Sequence, residues 1–191
     1  MSFLLAITLT LVSSYDLISS PFSKHSPPKE YKTSTGKIII ISETHPAGIS
    51  LSTIEITSKG FEHNIQEILA NIDPVTNISI ADLDGNGFDE IYIITTSVGS
   101  GSYGNVLGFA SNNDKSLTMI SFPEVDINDP YFQGYMGHDL FSIEDNKMTR
   151  TFPIYMKNDT NQKPTGGIRK LTYSLIPGEA MWQLKIEKTD K

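Results

Sequence analysis

Two short stretches hold side chains whose types and spacing can do chemistry. The first, Gly99-Ser100-Gly101-Ser102-Tyr103-Gly104-Asn105-Val106, satisfies both the dinucleotide fingerprint G-x-G-x-x-G and the kinase loop G-x-G-x-x-G-x-V. Phosphate binding needs those glycines to open a helix or to be completed by a catalytic lysine. The second, Asp82-Leu83-Asp84-Gly85-Asn86-Gly87-Phe88-Asp89-Glu90, sets oxygen ligands at alternate positions beside a turn glycine, as in the first half of a calcium loop.

The elements that must position these stretches are short β segments. Gly36 to Ile41 is a β-branched run, Ile49 to Ile56 alternates at period two, and Glu90 to Thr96 reads as a central strand. Further segments at 106–110, 117–122, 139–143, 148–152, 168–175 and 181–186 are each bounded by Gly, Pro, Asn or Asp. Phe61, Ile65, Ile68, Leu69 and Ile72 fall at helical spacing, which predicts two helical turns over 62–70. The expected fold is therefore all-β: an antiparallel β-sandwich of roughly eight to ten short strands with one short helix.

This layout decides the phosphate question. A dinucleotide fingerprint must open a long helix, whereas Val106 to Ala110 reads as strand and Asn112-Asn113-Asp114 breaks the chain. A kinase needs V-A-I-K, H-R-D and D-F-G downstream and two lobes, and the 191 residues contain none of those motifs. Ser100 and Ser102 lack the nucleophile-elbow frame, and His25, His45, His63 and His138 are scattered singly, so each histidine reads as structural. No carboxylate pair is singled out by spacing for glycoside hydrolysis, and no catalytic residue or cofactor is expected.

What remains at 99–104 is a glycine-spaced loop between strands, either a plain hairpin connection or a loop that offers Tyr103 as an amphipathic anchor to a partner. The acidic stretch falls short of an EF-hand: the twelfth position, which needs a bidentate Glu, is Ile93, and strands flank it. A tight Asn-Gly turn whose acidic groups cap free amides outweighs calcium bound by Asp82, Asp84 and Asn86, so no metal is expected.

Composition narrows the partners. The net charge is -7 with no run of Lys or Arg, which argues against nucleic acid and favours a basic protein. The chain has no cysteine, hence no disulfide, thiolate site or lipidated Cys. Residues 3–12 form an uncharged apolar run too short to span a bilayer, followed by Ser13 and Ser14; this predicts a signal peptide at 1–14 cut before Tyr15, with no membrane span in the mature form. Pro21, Pro27, Pro28 and several serines make 15–31 an extended linker, and 32–191 one folded domain.

Taken together, the residues 81–90, the loop Ser100-Gly101-Ser102-Tyr103-Gly104, Gly134-Tyr135-Met136-Gly137-His138-Asp139, Pro164-Thr165-Gly166-Gly167-Ile168-Arg169 and Gly178-Glu179-Ala180-Met181-Trp182 resemble the periplasmic inhibitors of invertebrate-type lysozyme, the PliI family. The similarity covers about residues 50–187. It implies a β-sandwich whose S-G-x-Y loop enters the lysozyme cleft, with Ser100 and Tyr103 as the inhibitory pair and Gly99 to Gly104 as the binding loop. It also implies a periplasmic location and a lysozyme partner; the sequence leaves open whether the chain forms a homodimer. Family members often carry Asp where this chain has Asn86. The alternative function is a secreted calcium-binding β module acting in protein–protein interaction.

Overall fold

The computed structural model describes residues 24–190, with side chains through Glu187; the expected signal segment 1–14 lies outside them. The described chain is β throughout, with two sheets packed as a sandwich, and its sole helical element is a 3-10 turn at Pro130–Phe132. The smaller sheet has five strands: β1 (Lys24–His25), β2 (Lys29–Lys32), β3 (Ile38–His45), β4 (Ser52–Lys59) and β5 (Gln66–Ile72). The larger sheet has eight: β6 (Val75–Ala81), β7 (Glu90–Thr96), β8 (Gly104–Ser111), β9 (Leu117–Ser121), β10 (Leu140–Glu144), β11 (Lys147–Pro153), β12 (Ile168–Pro177) and β13 (Trp182–Asp190). Its spatial order is β10-β11-β12-β13-β9-β8-β7-β6, antiparallel except where β13 runs parallel to β9.

Two cores result. Ile91 and Ile93 on one face of β7 join Ile39, Ile41, Ile54 and Ile56 of the smaller sheet. Tyr92 and Ile94, on the opposite face because strand side chains alternate, join Val106, Met148, Phe152, Leu171 and Tyr173 within the larger sheet. β7 is thus buried on both faces, which is why it reads as an unbroken Ile/Tyr run rather than an alternating one. Each fully buried Ile in it contributes about 1.5–3 kcal/mol of transfer free energy.

Two expectations are corrected. The helix over 62–70 is absent: Gln66–Ile72 is a strand paired with β4, Leu69 opposite Ile54 and Ile72 opposite Ser52. Three residues on β5 span two on β4, so one residue is inserted at this bulge, and Asn71 there has φ 59°. The insertion returns Leu69 and Ile72 to the same core at a spacing of three, while Ile65 and Leu69 share a face at an even spacing in any strand. A bulged edge strand thus imitates helical periodicity. Second, the stretch read as a linker is in the sheet from Lys24: β1 and β2 both pair with β3, interrupted at Pro27 and Pro28, which have no N–H to give to a ladder. Tyr31 of β2 packs against the core shared by Ile39, Ile41, Ile91 and Ile93.

Candidate functional site

The glycine-spaced loop closes the β7–β8 hairpin, whose last pair is Thr96 opposite Gly104. It lacks any helix to receive a phosphate, since Gly104 begins β8. Inside the loop Tyr103 O accepts from Ser97 N at 2.8 Å, Tyr103 N donates to Ser97 Oγ at 2.8 Å, and Ser102 N donates to Gly99 O at 3.2 Å. Ser102 takes φ 42°, and its Oγ donates to Gly99 O at 3.3 Å, so this hydroxyl is spent on the turn.

The loop is braced from outside as well. His138 N donates to Gly101 O at 2.6 Å, Asn161 Nδ2 donates to Ser100 O, and Gly104 N donates to Asp139 Oδ2 at 2.7 Å. Asn161 is itself held, its Oδ1 lying 3.1 Å from His138 Nε2. Gly137, at φ +88°, passes so close that a Cβ there would stand 2.0 Å from Gly101 O and 3.1 Å from the Tyr103 ring. The glycines therefore serve close packing within the protein; among those of the loop, Gly99 alone faces open space.

Beneath the brace lies a buried polar cluster. Arg150 of β11 donates from Nε to Asp139 Oδ1 at 2.7 Å and from Nη2 to Tyr135 Oη at 2.6 Å, and Tyr135 Oη donates to Asp139 Oδ2 at 2.5 Å. Burial pushes the Tyr135 hydroxyl above its ordinary pKa and its bond to Asp139 adds to this, so it remains a donor at any physiological pH. The rings of Tyr135, Phe132 and Phe141 stand 5.0–5.4 Å from the guanidinium centre, a cation–π setting that shields the ion pair from water. Tyr135 then meets Tyr103 edge to face at 5.8 Å between centroids. An ordered path runs from Arg150 through Asp139 and Tyr135 to the loop backbone and the Tyr103 ring.

What this leaves outward is specific. Ser100 and Tyr103 are exposed, and among the described residues neither Ser100 Oγ nor Tyr103 Oη makes a hydrogen bond. Val98 of the loop, and Met136 and Leu140 of the segment that braces it, are exposed apolar side chains, Leu140 at 72%. One groove lined by Thr96, Ser102, Leu140 and Phe141 and another lined by Ser100, Tyr155, Asn161 and Pro164 border the loop, with His138 lining both. Pro164 to Gly167 is a turn into β12, tied to Ile154 by Gly166 N to Ile154 O and Ile154 N to Gly167 O, both 2.9 Å.

The acidic stretch sits at the opposite end of β7, about 20 Å away along the strand. Asp82 caps the amides of Gly85, Asn86 and Gly87 at 2.8–3.1 Å, as a tight turn requires. Asp89 turns away and accepts from Ser34 N at 2.5 Å. Glu90 is fully buried, and burial first, then the charges of Asp84 and Asp82, push its carboxyl up to about 8.

Sequence reasoning placed a loop at 99–104 and quoted Gly134 to Asp139, but missed the residues that tie them down, Arg150 and Asn161. Asp139 and Arg150 are ordinary residues of two strand segments in sequence; only the antiparallel pairing of β10 with β11 brings them together. Comparison with known protein families, with curated proteins and with solved structures finds no match to this chain.

Proposed function

We propose that this protein inhibits invertebrate-type lysozyme by inserting the loop Gly99 to Gly104 into the enzyme's active-site cleft, acting in the periplasm to protect the cell wall. The observation that carries the reading is the state of two hydroxyls: Ser100 Oγ and Tyr103 Oη are unpaired among the described residues, on a loop whose backbone is held at Ser97, Gly101 and Gly104. A rigid loop loses little conformational entropy on docking, and a tyrosine loses only two rotatable bonds.

A lysozyme cleft presents a protonated carboxylic acid and an ionised carboxylate on either side of the scissile bond. Two neutral hydroxyls satisfy such a pair without bringing charge into it, each able to donate and to accept. The exposed apolar side chains of Val98, Met136 and Leu140 suit the rim of a sugar-binding cleft, and the net charge of -7 speeds encounter with a basic enzyme. The resemblance in the loop and in Gly134 to Asp139 supports the same reading, and the second of these motifs is the loop's brace. Titrating lysozyme activity with the protein and with Tyr103→Ala tests it. Cell fractionation tests the location, the expected product being a periplasmic chain that starts near Tyr15.

A further inference from the structure

At the far end of β7, one carboxylate oxygen from each of Asp82, Asp84 and Glu90 lies within 4.8 Å of the others. Acidic turns often cap amides and hold nothing, and Asp82 does cap amides here. Glu90 does not fit that role. Its side chain is fully buried; Oε2 accepts from Leu83 N at 2.8 Å and from Tyr92 Oη at 3.3 Å, while Oε1 has no partner. A buried carboxylate oxygen left unpaired beside two more carboxylates is a costly arrangement that a cation relieves. Among the described residues no lysine or arginine forms an ion pair with any of the three; the ion pairs of those residue types go elsewhere.

We propose that Asp82, Asp84 and Glu90 bind a structural calcium ion, independently of the lysozyme-binding loop. Two Ca–O bonds span about 4.6–5.2 Å, so the three oxygens reach one ion with little movement. Lone-pair accounting agrees: Glu90 Oε1 is wholly free, Asp82 Oδ2 accepts only from Gly87 N, and each Asp84 oxygen accepts one bond, both from Asn86. Asn86 is not a ligand in this scheme, because its Oδ1 accepts from Phe88 N at 2.7 Å and its Nδ2 donates to Asp84 Oδ2. Glu90 supplies from the start of a strand the third carboxylate that an EF-hand places at its twelfth position, here Ile93. Water completes the shell.

The test uses the whole mature chain, stripped with EDTA and then melted with CaCl2, MgCl2 or NaCl at matched ionic strength, alongside calorimetric titration. At about 10 mM CaCl2 the expected Tm rise is on the order of 5 °C, larger than with magnesium and absent with sodium. Glu90→Gln and Asp84→Asn should abolish the calcium shift, and Asp84→Asn carries the test if the buried variant folds poorly. Lysozyme inhibition should change less than about twofold between EDTA and calcium, so failure here and failure of the inhibitor reading are separable. A calcium shift no larger than that of magnesium or sodium, or one retained in both variants, overturns the proposal.

Discussion

The Tyr103 ring lies across Gly101: a Cβ built on Gly101 would stand 2.4 Å from Tyr103 Cε2 and 2.9 Å from its Cζ. The ring is half exposed and free to swing outward, so Gly101→Ala resolves the clash by displacing Tyr103 rather than by disturbing the sheets. The expected result is a Tm within about 3 °C of the parent and a loss of inhibition of roughly tenfold or more, equivalent to about 1.4 kcal/mol. Parallel melting and inhibition titrations check this, and undiminished inhibition means that the ring's position does not matter.

Removing one partner of the buried pair under the loop should damage both fold and function. Asp139→Asn leaves the Arg150 guanidinium in a nest of aromatic rings without its counter-charge and weakens the acceptor of Gly104 N. Breaking such a pair costs about 3–5 kcal/mol, which corresponds to a fall in Tm of roughly 6–20 °C. Thermal melts measure it; a fall of under about 2 °C would show that the ion pair is not an essential brace.

The loop's outer support should respond to acid. Asp159 accepts from Met156 N and Thr165 N, both at 2.7 Å, and from Thr165 Oγ1 at 2.8 Å; the bond from Met156 N is the largest influence holding its pKa below the ordinary aspartate value. A depressed folded-state pKa stabilises above the unfolded value, and that stabilisation is lost as pH falls through the folded one. The turn at 156–165 contains Asn161, which grips Ser100 O. Amide exchange by NMR should therefore show protection at Met156 and Thr165 falling below about pH 4, and Asp159→Asn should remove the pH dependence.

Much of this arrangement is legible in the sequence where a single strand carries the signal. The alternation through Ile54 and Ile56, the two-faced run at Ile91 to Ile94, and the hairpin loop between β7 and β8 follow from local pattern and turn chemistry. The bulge at Asn71 is not legible, because one inserted residue converts strand spacing into helix spacing. Pairings between distant segments are hidden for a related reason: nothing local to Asp139 announces Arg150, and nothing local to Pro27 announces that β1 and β2 will find β3. The unpaired Glu90 oxygen is hidden too, since a glutamate beside an acidic turn looks like surface until the strand it opens is seen to be buried.

The central claim is that Tyr103 and Ser100 are the groups that enter a lysozyme cleft, and inhibition constants for the parent, Ser100→Ala and Tyr103→Ala against invertebrate-, chicken- and goose-type lysozymes test it most directly. The parent should inhibit the invertebrate type alone. Tyr103→Ala should weaken that inhibition about thirtyfold or more, roughly 2 kcal/mol for a buried anchor, and Ser100→Ala by about fivefold, on the order of 1 kcal/mol for one hydrogen bond. Tyr103→Ala also loses its edge contact with Tyr135, so a Tm decrease of a few degrees, about 1 kcal/mol, accompanies it without unfolding. A folded Tyr103→Ala that inhibits as well as the parent, or a parent that inhibits none of the three enzymes, contradicts the account.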